Sequence, residues 1–498
     1  MKKYIIFLFY FLFSSCLKDN GTYEYDYGNE VSIRFEKYYY SIKVGDTLSV
    51  YPIRQFKYPH SDTLNFEHIW YRNTDVYSDK NTLTFIGDSI GSFNMTYYMK
   101  DKNTDIMFPA RSGFTINVEP LYNMGWIILY EKNDASEIAM IIPKDTIFTH
   151  YTELYKTNNK GEKLGSSPVF IKDYAVTWQT RGLLVVQRGG QGCVELNSDN
   201  YKKEILLKDE FIGGPPDNLD PVDAAFLEKT HFLLMEDGRI YRKYIINYGD
   251  TPWITPWNNN PEEIEGGMKI EDIWDSWSLK SYFALMYDAL NKRILEFNPS
   301  GSSPAGQTPI APISKPTNAY PSKYYKLDSL GNIDYIWGGT FNDTYYYMAG
   351  AMLIKDLDDG KFYFQDFTYS TDYYNPALEI GRCIEFTGGN LLSSASKFAA
   401  IKERNYLFFS GGTDNCELHY FDIITKNHPI LYKKFEAPIT ALYSSNDGNT
   451  IAVGLENGSV YLFDISHDVI ISGKSKELYH LHGLGKIIDI VLKKGNIS

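Results

Sequence analysis

The chain has 498 residues, of which 43% are hydrophobic and 16% aromatic, and its formal net charge is −13. Because phosphates must be neutralised by clustered lysine and arginine, an acidic chain without a basic stripe argues against nucleic acid binding. The length is sufficient for more than one hydrophobic core, and the high aromatic content is typical of an all-β protein.

The first fifteen residues have the pattern of a secretory signal. Lys2 and Lys3 precede the apolar run Tyr4–Phe13, which is too short to span a bilayer, since a spanning helix needs about 20 apolar residues. Ser14-Ser15-Cys16 then resembles a bacterial lipobox, in which the cysteine is lipidated and becomes the new N-terminus. The resemblance implies a signal peptide over 1–15 and a lipidated tether over 16–30, with an ordinary signal peptide and a chance cysteine as the alternative.

Residues 31–119 are predicted to form a separate β-sandwich, because short runs rich in β-branched and aromatic residues alternate with turn residues. Phe66–Trp70 resembles the core-tryptophan strand of PKD-type sandwiches, and Gly91–Asp101 resembles a second strand of that family. The predicted strands are Val31–Phe35, Thr47–Ile53, Phe66–Arg72, Thr82–Ile86, Ser92–Lys100 and Gly113–Val118.

Residues 120–498 are predicted to form a β-propeller. Ile439–Ser466 contains three short strands joined by two Asn/Asp/Gly turns and resembles a WD40-type blade, with Phe463-Asp464 where that family has Trp-Asp. A single blade cannot bury both of its faces, so copies are expected. Seven strands of this type recur, at Glu137–Ile142, Gly192–Asn197, Gly238–Tyr244, Arg293–Asn298, Gly360–Gln365, Cys416–Asp422 and Gly458–Asp464.

The two ends of the propeller region are predicted to pair. Lys486–Leu492 reads as a first strand with no blade after it, and Trp126–Tyr130 reads as a blade opening that lacks its first strand. Their pairing would close the ring and remove two exposed sheet edges. The predicted fold class is therefore all-β, an Ig/PKD-like sandwich followed by a seven-bladed propeller, with a generic array of β-sandwiches as the alternative.

The chain as a whole resembles the PKD-like lipoproteins of Bacteroidota, in which an N-terminal PKD-like sandwich precedes a propeller-like region. Gly125–Lys132 is the junction motif most like that family. The Lys-Asp pair after Cys16 also resembles the export signal of surface lipoproteins in that group. The resemblance implies an outer-membrane protein facing the medium, with a periplasm-facing orientation as the alternative, and association with glycan or nutrient uptake.

A tryptophan-rich stretch is the candidate ligand site. Half of the eight tryptophans lie between 249 and 279, in a segment stiffened by prolines. Exposed flat rings suit the apolar faces of sugars, and nearby carboxylates suit sugar hydroxyls, but the same rings could form a small core over the propeller. The candidate residues are Trp253, Trp257, Trp274, Trp277, Asp272 and Asp275.

Two further motifs match chemical signatures only in part. Gly87–Gly91 matches the G-x-S-x-G nucleophile elbow, but an alternating strand follows where a helix is required, so a hairpin loop is predicted. Asp356–Gly360 is similar to a calcium loop but is out of register, so a turn is predicted and calcium stays an open alternative. No other cofactor or metal is indicated.

Three functions follow as hypotheses. The first is a non-catalytic binding or accessory protein of a glycan or nutrient uptake system, whose partners are the outer membrane, a glycan, and an importer with its lipoprotein lid. The second is an enzyme, a propeller glycoside hydrolase or polysaccharide lyase. The third is a scaffold that binds an outer-membrane transporter. Fold alone does not decide among them, and the first is preferred because no catalytic signature is visible.

Overall fold

The computed structural model describes residues 30–58, 65–144, 147–175, 181–227, 229–245, 254–274, 284–297, 309–344, 347–370, 377–402, 404–425 and 428–493. The chain divides into two compact units, Met1–Leu121 and Tyr122–Ser498, so the division falls two residues beyond the predicted boundary between 119 and 120. The predicted signal peptide and almost all of the tether, including Cys16, lie outside the described residues.

The first unit is a small all-β body with one core. Its strands are β1 (Val31–Arg34), β2 (Tyr39–Lys43), β3 (Thr47–Val50), β4 (Ile53–Phe56), β5 (Phe66–Arg72), β6 (Asp75–Ser78), β7 (Leu83–Ile86), β8 (Gly91–Asp101), β9 (Met107–Pro109) and β10 (Phe114–Glu119). β10 pairs in parallel with β2 and antiparallel with β8, and β8 also pairs with β5 and β9. β5 pairs with β6, and the pairs β1–β4 and β3–β7 form two shorter sheets.

The predicted core tryptophan of this unit is confirmed. Trp70 is fully buried, its indole N–H donates to the carbonyl of Lys80 at 2.8 Å, and its ring lies 4.3 Å from that of Tyr97. Alternating burial along β8 and β10 sends every second side chain into the same core, as the period of a strand requires.

Two details of the predicted sandwich are wrong. The strand predicted over Thr47–Ile53 is two strands in different sheets, because β3 pairs with β7 whereas β4 pairs with β1. Pro52, which has no N–H to donate to a ladder, lies at the change of sheet. The loop over Gly87–Gly91 is not a hairpin either, since it joins β7 to β8, which pair with other strands. A strand follows Ser89, as predicted, and not a helix.

The second unit contains seven sheets among its described residues. Its strands are β11 (Gly125–Lys132), β12 (Ala135–Lys144), β13 (Ile147–Tyr151), β14 (Ser166–Ala175), β15 (Arg181–Gly189), β16 (Val194–Asn197), β17 (Lys203–Leu206), β18 (Pro221–Phe226), β19 (Thr230–Met235), β20 (Ile240–Tyr244), β21 (Ile270–Trp274), β22 (Ala284–Asp288), β23 (Arg293–Phe297), β24 (Ile310–Pro312), β25 (Ile333–Thr344), β26 (Tyr347–Asp356), β27 (Phe362–Ser370), β28 (Ala377–Glu385), β29 (Phe398–Ala400), β30 (Tyr406–Gly411), β31 (Glu417–Asp422), β32 (Ile430–Lys434), β33 (Ile439–Ser444), β34 (Thr450–Leu455), β35 (Val460–Asp464), β36 (Lys476–Leu481) and β37 (Lys486–Lys493).

Each sheet is antiparallel. We number them sheet 1 (β37-β11-β12-β13), sheet 2 (β14–β17), sheet 3 (β18–β20), sheet 4 (β21–β24), sheet 5 (β25–β28), sheet 6 (β29–β32) and sheet 7 (β33–β36), of which sheets 2–7 are meanders of consecutive strands. The seven recurring strands predicted from the sequence are all strands, and each is the third in its sheet, β12 in sheet 1 and β16, β20, β23, β27, β31 and β35 in the others. Short helices cover Leu154–Asn158 and His467–Ile471, with 3-10 turns at Leu207–Glu210, Gly389–Leu391 and Thr413–Asn415.

The last strand of the chain pairs with the first strand of the second unit. β37 runs antiparallel to β11, with Val491 opposite Ile127 and Leu492 opposite Trp126. A bulge at Leu129 interrupts the register once. The predicted pairing of the two ends is therefore present, and it places β11 inside sheet 1, whose end strands are β37 and β13.

Neighbouring sheets share hydrophobic cores. Sheet 7 packs on sheet 1 so closely that a Cβ on Gly454 of β34 would overlap Ile487 of β37. Sheet 1 meets sheet 2 where the backbone N–H of Ile171 donates to the Asp489 carboxylate at 3.0 Å. Continuous buried clusters likewise join sheets 2 and 3, 3 and 4, 4 and 5, 5 and 6, and 6 and 7.

Among the described residues no helix is long and apolar enough to cross a membrane.

Candidate functional site: the central cavity

One cavity of the second unit is bordered by the first strand of every sheet. Its volume is about 410 Å³, which is within the usual range for small-molecule sites. We call it the central cavity. Its lining comes from β37, β14, β18, β21, β25, β29 and β33, and includes Lys172, Asp173, Tyr174, Asp223, Phe226, Trp274, Trp337, Phe398, Tyr443 and Asp489.

Four aromatic side chains from consecutive sheets form what we call the aromatic wall: Trp274 (sheet 4), Trp337 (sheet 5), Phe398 (sheet 6) and Tyr443 (sheet 7). The Trp337 and Phe398 rings stack, with centroids 6.0 Å apart and planes inclined by 28°. Trp337, Phe398 and Tyr443 are only partly buried. They therefore present ring surface to the cavity, which an apolar ligand face could cover.

Trp274, the sheet 4 member of the aromatic wall, is fixed in position by its neighbours. Its indole N–H donates to the Tyr335 hydroxyl at 2.8 Å, and that hydroxyl donates to the Asp272 carboxylate at 2.5 Å. Gly338 lies beneath the indole, and a Cβ at that position would overlap both the ring and the Tyr335 hydroxyl. The glycine is therefore required for the close approach of the ring to the β25 backbone.

The remaining sheets supply what we call the charged wall: Asp489 (sheet 1), Lys172 and Asp173 (sheet 2) and Asp223 (sheet 3). Lys172 Nζ lies 3.2 Å from Asp223 Oδ1. Asp489 accepts from the backbone N–H of Ile171, and burial raises the pKa of its carboxyl to about 6. The central cavity thus has its lining carboxylates on sheets 1–3, where the rings of Tyr174 and Phe226 also line it, and aromatic rings without a lining carboxylate on sheets 4–7.

A buried polar network lies behind the charged wall, between sheets 2 and 3. The Tyr174 hydroxyl donates to Glu195 Oε2 at 2.8 Å, and Lys243 Nζ lies 2.5 Å from Glu210 Oε2 with both side chains fully buried. Burial, reinforced by the negative charge of Glu210, raises the pKa of Glu195 to about 8, and burial also raises the pKa of Glu210. Two carboxyls therefore share one ammonium in a low-dielectric interior, which favours retention of a proton.

Tyr174 links this network to the central cavity. Its ring stacks on Phe226 with centroids 4.0 Å apart and planes inclined by 10°, and both residues line the cavity. His231 packs edge-on against Phe226, and burial lowers the pKa of its imidazole well below the usual value. The imidazole is therefore neutral at physiological pH and adds no positive charge to this side of the cavity.

The predicted tryptophan cluster is divided by the structure. Trp257 and Trp274 are both buried, with 0% and 1% of their surface exposed, so neither offers an open ring as an aromatic platform, and the small-core alternative fits these two. The Asp272 carboxylate accepts a hydrogen bond from the Tyr335 hydroxyl. Trp253, Trp277 and Asp275 lie outside the described residues, and their role in binding stays a prediction.

Trp257 is buried because its segment covers the open edge of sheet 3, in which the described residues form three strands. The backbone N–H of Asn258 donates to the carbonyl of Arg242 at 3.1 Å, and that of Glu262 donates to Ile240 at 2.8 Å. Prolines 256 and 261, which have no N–H, prevent a regular fourth strand. The indole enters the core beside Lys243, whose Nζ lies 4.7 Å from the ring centroid, a cation–π arrangement.

The turn at Asp356–Gly360 is confirmed as the link between β26 and β27. Asp356 accepts from Lys323 Nζ at 2.9 Å, from the Tyr325 hydroxyl and from the backbone N–H of Asp358. These donors hold the pKa of the Asp356 carboxyl well below its usual value. Within the described residues, no group of three or more His, Cys, Asp or Glu side chains is arranged to hold a metal.

Sequence reasoning missed most of the central cavity. Trp337, Asp223, Lys172 and Asp489 were not predicted as site residues. A usable signal existed in β37, where Asp489 interrupts the apolar run Ile487–Leu492. A charged residue within a first strand is unusual, because that strand packs against neighbouring sheets on both faces.

Comparison with known proteins gives a partial family match. Residues 16–168 match the model of the PKD-like family, from Cys16 through the first unit to the start of β14. No curated protein matches. The chain is similar to a solved quinoprotein alcohol dehydrogenase-like protein from Bacteroides thetaiotaomicron, at 12% identity and a TM-score of 0.40, covering 92% of this chain and 97% of that one.

A second similar structure is the dihydro-heme d1 dehydrogenase NirN, with 12% identity and a TM-score of 0.39, covering 75% of this chain and 76% of that one. Similarity at this level carries no information about the chemistry of the chain. The function must therefore be argued from its own residues.

Proposed function

We propose that the chain is a lipid-anchored, non-catalytic binding protein of a glycan or nutrient uptake system, and that its ligand is a saccharide held in the central cavity. The observation that carries this proposal is the composition of the cavity, with an aromatic wall on sheets 4–7 and a charged wall on sheets 1–3. Sugars combine flat C–H faces with hydroxyl donors, so they match both walls.

The proposal includes a seven-bladed propeller as the scaffold. Its support is the pairing of β37 with β11, the packing of each sheet on the next, and the contribution of all seven sheets to one cavity. In such a scaffold each first strand is fixed by the sheets on either side. The cavity walls are then positioned by packed strands and not by loops, which favours a preformed binding site.

The anchor and the partners are proposed from the sequence. Lipidation at Cys16 would tether the protein to the outer membrane, where a cell-surface orientation places the cavity on the side from which glycans arrive. An importer and its lipoprotein lid are the proposed protein partners. Cys16→Ser is expected to abolish incorporation of radiolabelled palmitate and to release the chain from membranes; unchanged labelling would rule out this anchor.

The binding proposal is tested on the full chain, expressed with its leader and purified in detergent. A glycan array followed by calorimetry is expected to identify at least one saccharide that binds. Trp337→Ala should weaken that binding about fivefold, because a lost ring contact is worth roughly 1 kcal/mol. Tyr244→Ala, which removes an exposed ring outside the cavity lining, is the control and should bind normally.

An enzymatic function is the second candidate, and one observation favours it. Asp489 has a pKa raised to about 6 by burial, inside a cavity that also contains Asp173 and Asp223. Glycosidases use two carboxyl groups in one site, and the one that acts as general acid has a raised pKa. Release of shorter saccharides from any bound polysaccharide, lost in Asp489→Asn, would favour this candidate over simple binding.

A further inference from the structure

We infer that the central cavity selects saccharides that are neutral or carry an amine, and excludes those that carry carboxylate or sulfate groups. This inference deepens the proposed function and depends on it, because it names the chemical class of the ligand held at the same site.

The first argument is the charge of the lining. Three aspartates and one lysine line the cavity, Asp173, Asp223, Asp489 and Lys172, and the lysine lies 3.2 Å from one of the aspartates. With all four ionised, the lining carries three negative charges and one positive charge, a net of −2. Lys397 acts on Asp489 but does not belong to the lining. An anionic ligand would therefore meet no lining cation that lacks a carboxylate beside it.

The second argument is the position of the charges. All four aspartate and lysine side chains of the lining lie on sheets 1–3, opposite the aromatic wall of sheets 4–7. A ring stacked on Trp337 would direct its polar edge toward these carboxylates, which accept hydrogen bonds and donate none. Hydroxyl and ammonium groups can donate to these oxygens, each of which can accept more than one hydrogen bond. A carboxylate or sulfate on that edge would face like charge in a cavity whose protein walls strengthen electrostatic forces.

The third argument is that the negative wall is held in place. Asp489 is fixed by the backbone N–H of Ile171, and Asp173 is fixed by the hydroxyl of Ser198. These carboxylates cannot swing away from an incoming anion without losing those bonds. The cost of admitting an anion is therefore not relieved by side-chain rearrangement.

The inference is tested with the full chain in detergent by calorimetry on matched pairs, each uronate oligosaccharide against the neutral oligosaccharide of the same stereochemistry and linkage. The neutral member is expected to bind about tenfold or more tightly, and the ratio should shrink between 50 and 500 mM salt because screening weakens repulsion. Asp489→Asn should shrink the ratio at low salt, whereas the matched control Asp468→Asn, on an exposed residue outside the cavity lining, should leave it unchanged.

The outcomes separate the two claims. A uronate that binds as tightly as its neutral counterpart, with Trp337→Ala weakening both, would overturn the charge selectivity while leaving saccharide binding in place. A preference for the neutral oligosaccharide that does not change with salt would also overturn the charge selectivity. This measurement uses the wild-type protein alone, so it does not depend on the folding of a variant. Failure of every neutral, amine-bearing and anionic saccharide to bind would overturn the proposed function and the inference together.

Discussion

Substitution of Gly485 tests the pairing of the chain ends most directly. Gly485 precedes β37, and a Cβ at this position would overlap the carbonyl oxygen of Glu131 in β11, with the Glu131 carbonyl carbon at 2.6 Å and Lys132 Cα at 2.8 Å. All of these atoms belong to the backbone, so no side-chain rotation relieves the overlap. In Gly485→Ala the start of β37 must move away from β11.

The expected loss of stability combines two effects. Forced overlap in a packed region costs about 1–3 kcal/mol. Movement of β37 also exposes part of Ile487, whose surface is fully buried and whose complete burial is worth roughly 1.5–3 kcal/mol. We expect Gly485→Ala to lower the free energy of unfolding of the second unit by about 3 kcal/mol.

The matched control is Gly483→Ala in the same turn. Gly483 has a φ of +83°, and a Cβ there would meet no atom within 4 Å, so the substitution costs only the left-handed strain of about 1–2 kcal/mol. Both variants are compared by equilibrium urea denaturation with tryptophan fluorescence. Equal destabilisation by the two alanines, or none by Gly485→Ala, would refute the close approach of β37 to β11.

Three further predictions concern the interior of the second unit. Lys243→Met leaves Glu210 buried without its ammonium partner, so unfolding by urea should show a loss of about 3–5 kcal/mol. Because the pKa of Glu195 is raised to about 8, the folded chain keeps a proton that the unfolded chain releases above about pH 4.5. The free energy of unfolding of the wild type should therefore fall as pH rises toward 8, and Glu195→Gln should become more stable relative to wild type between pH 5 and pH 8. A constant difference between the two proteins over this range would contradict the raised pKa. Gly338→Ala should displace the indole of Trp274, lower stability by about 1–3 kcal/mol in the same assay and weaken saccharide binding in calorimetry.

The sequence alone was sufficient for the third strand of each of the seven sheets and for one long-range pairing. Alternating and β-branched runs determine where a strand can form, which is why the third strand of every sheet was found by its pattern. The pairing of β37 with β11 could also be predicted, because β37 is a first strand with no blade after it and β11 opens a blade that lacks its first strand. Trp70 was identified as a core residue because its strand carries a recognisable local motif.

The candidate site was decided only by the tertiary structure. The central cavity is lined by residues from Lys172 to Asp489, which are more than 300 residues apart along the chain. The hydrophobic periodicity of a single strand does not show which of its side chains will line a cavity shared with six other strands. The burial of Trp257 could not be predicted either, because it depends on the open edge of sheet 3 that its segment covers. Local sequence sets backbone preference, whereas burial and the meeting of charges depend on which distant surfaces pack together.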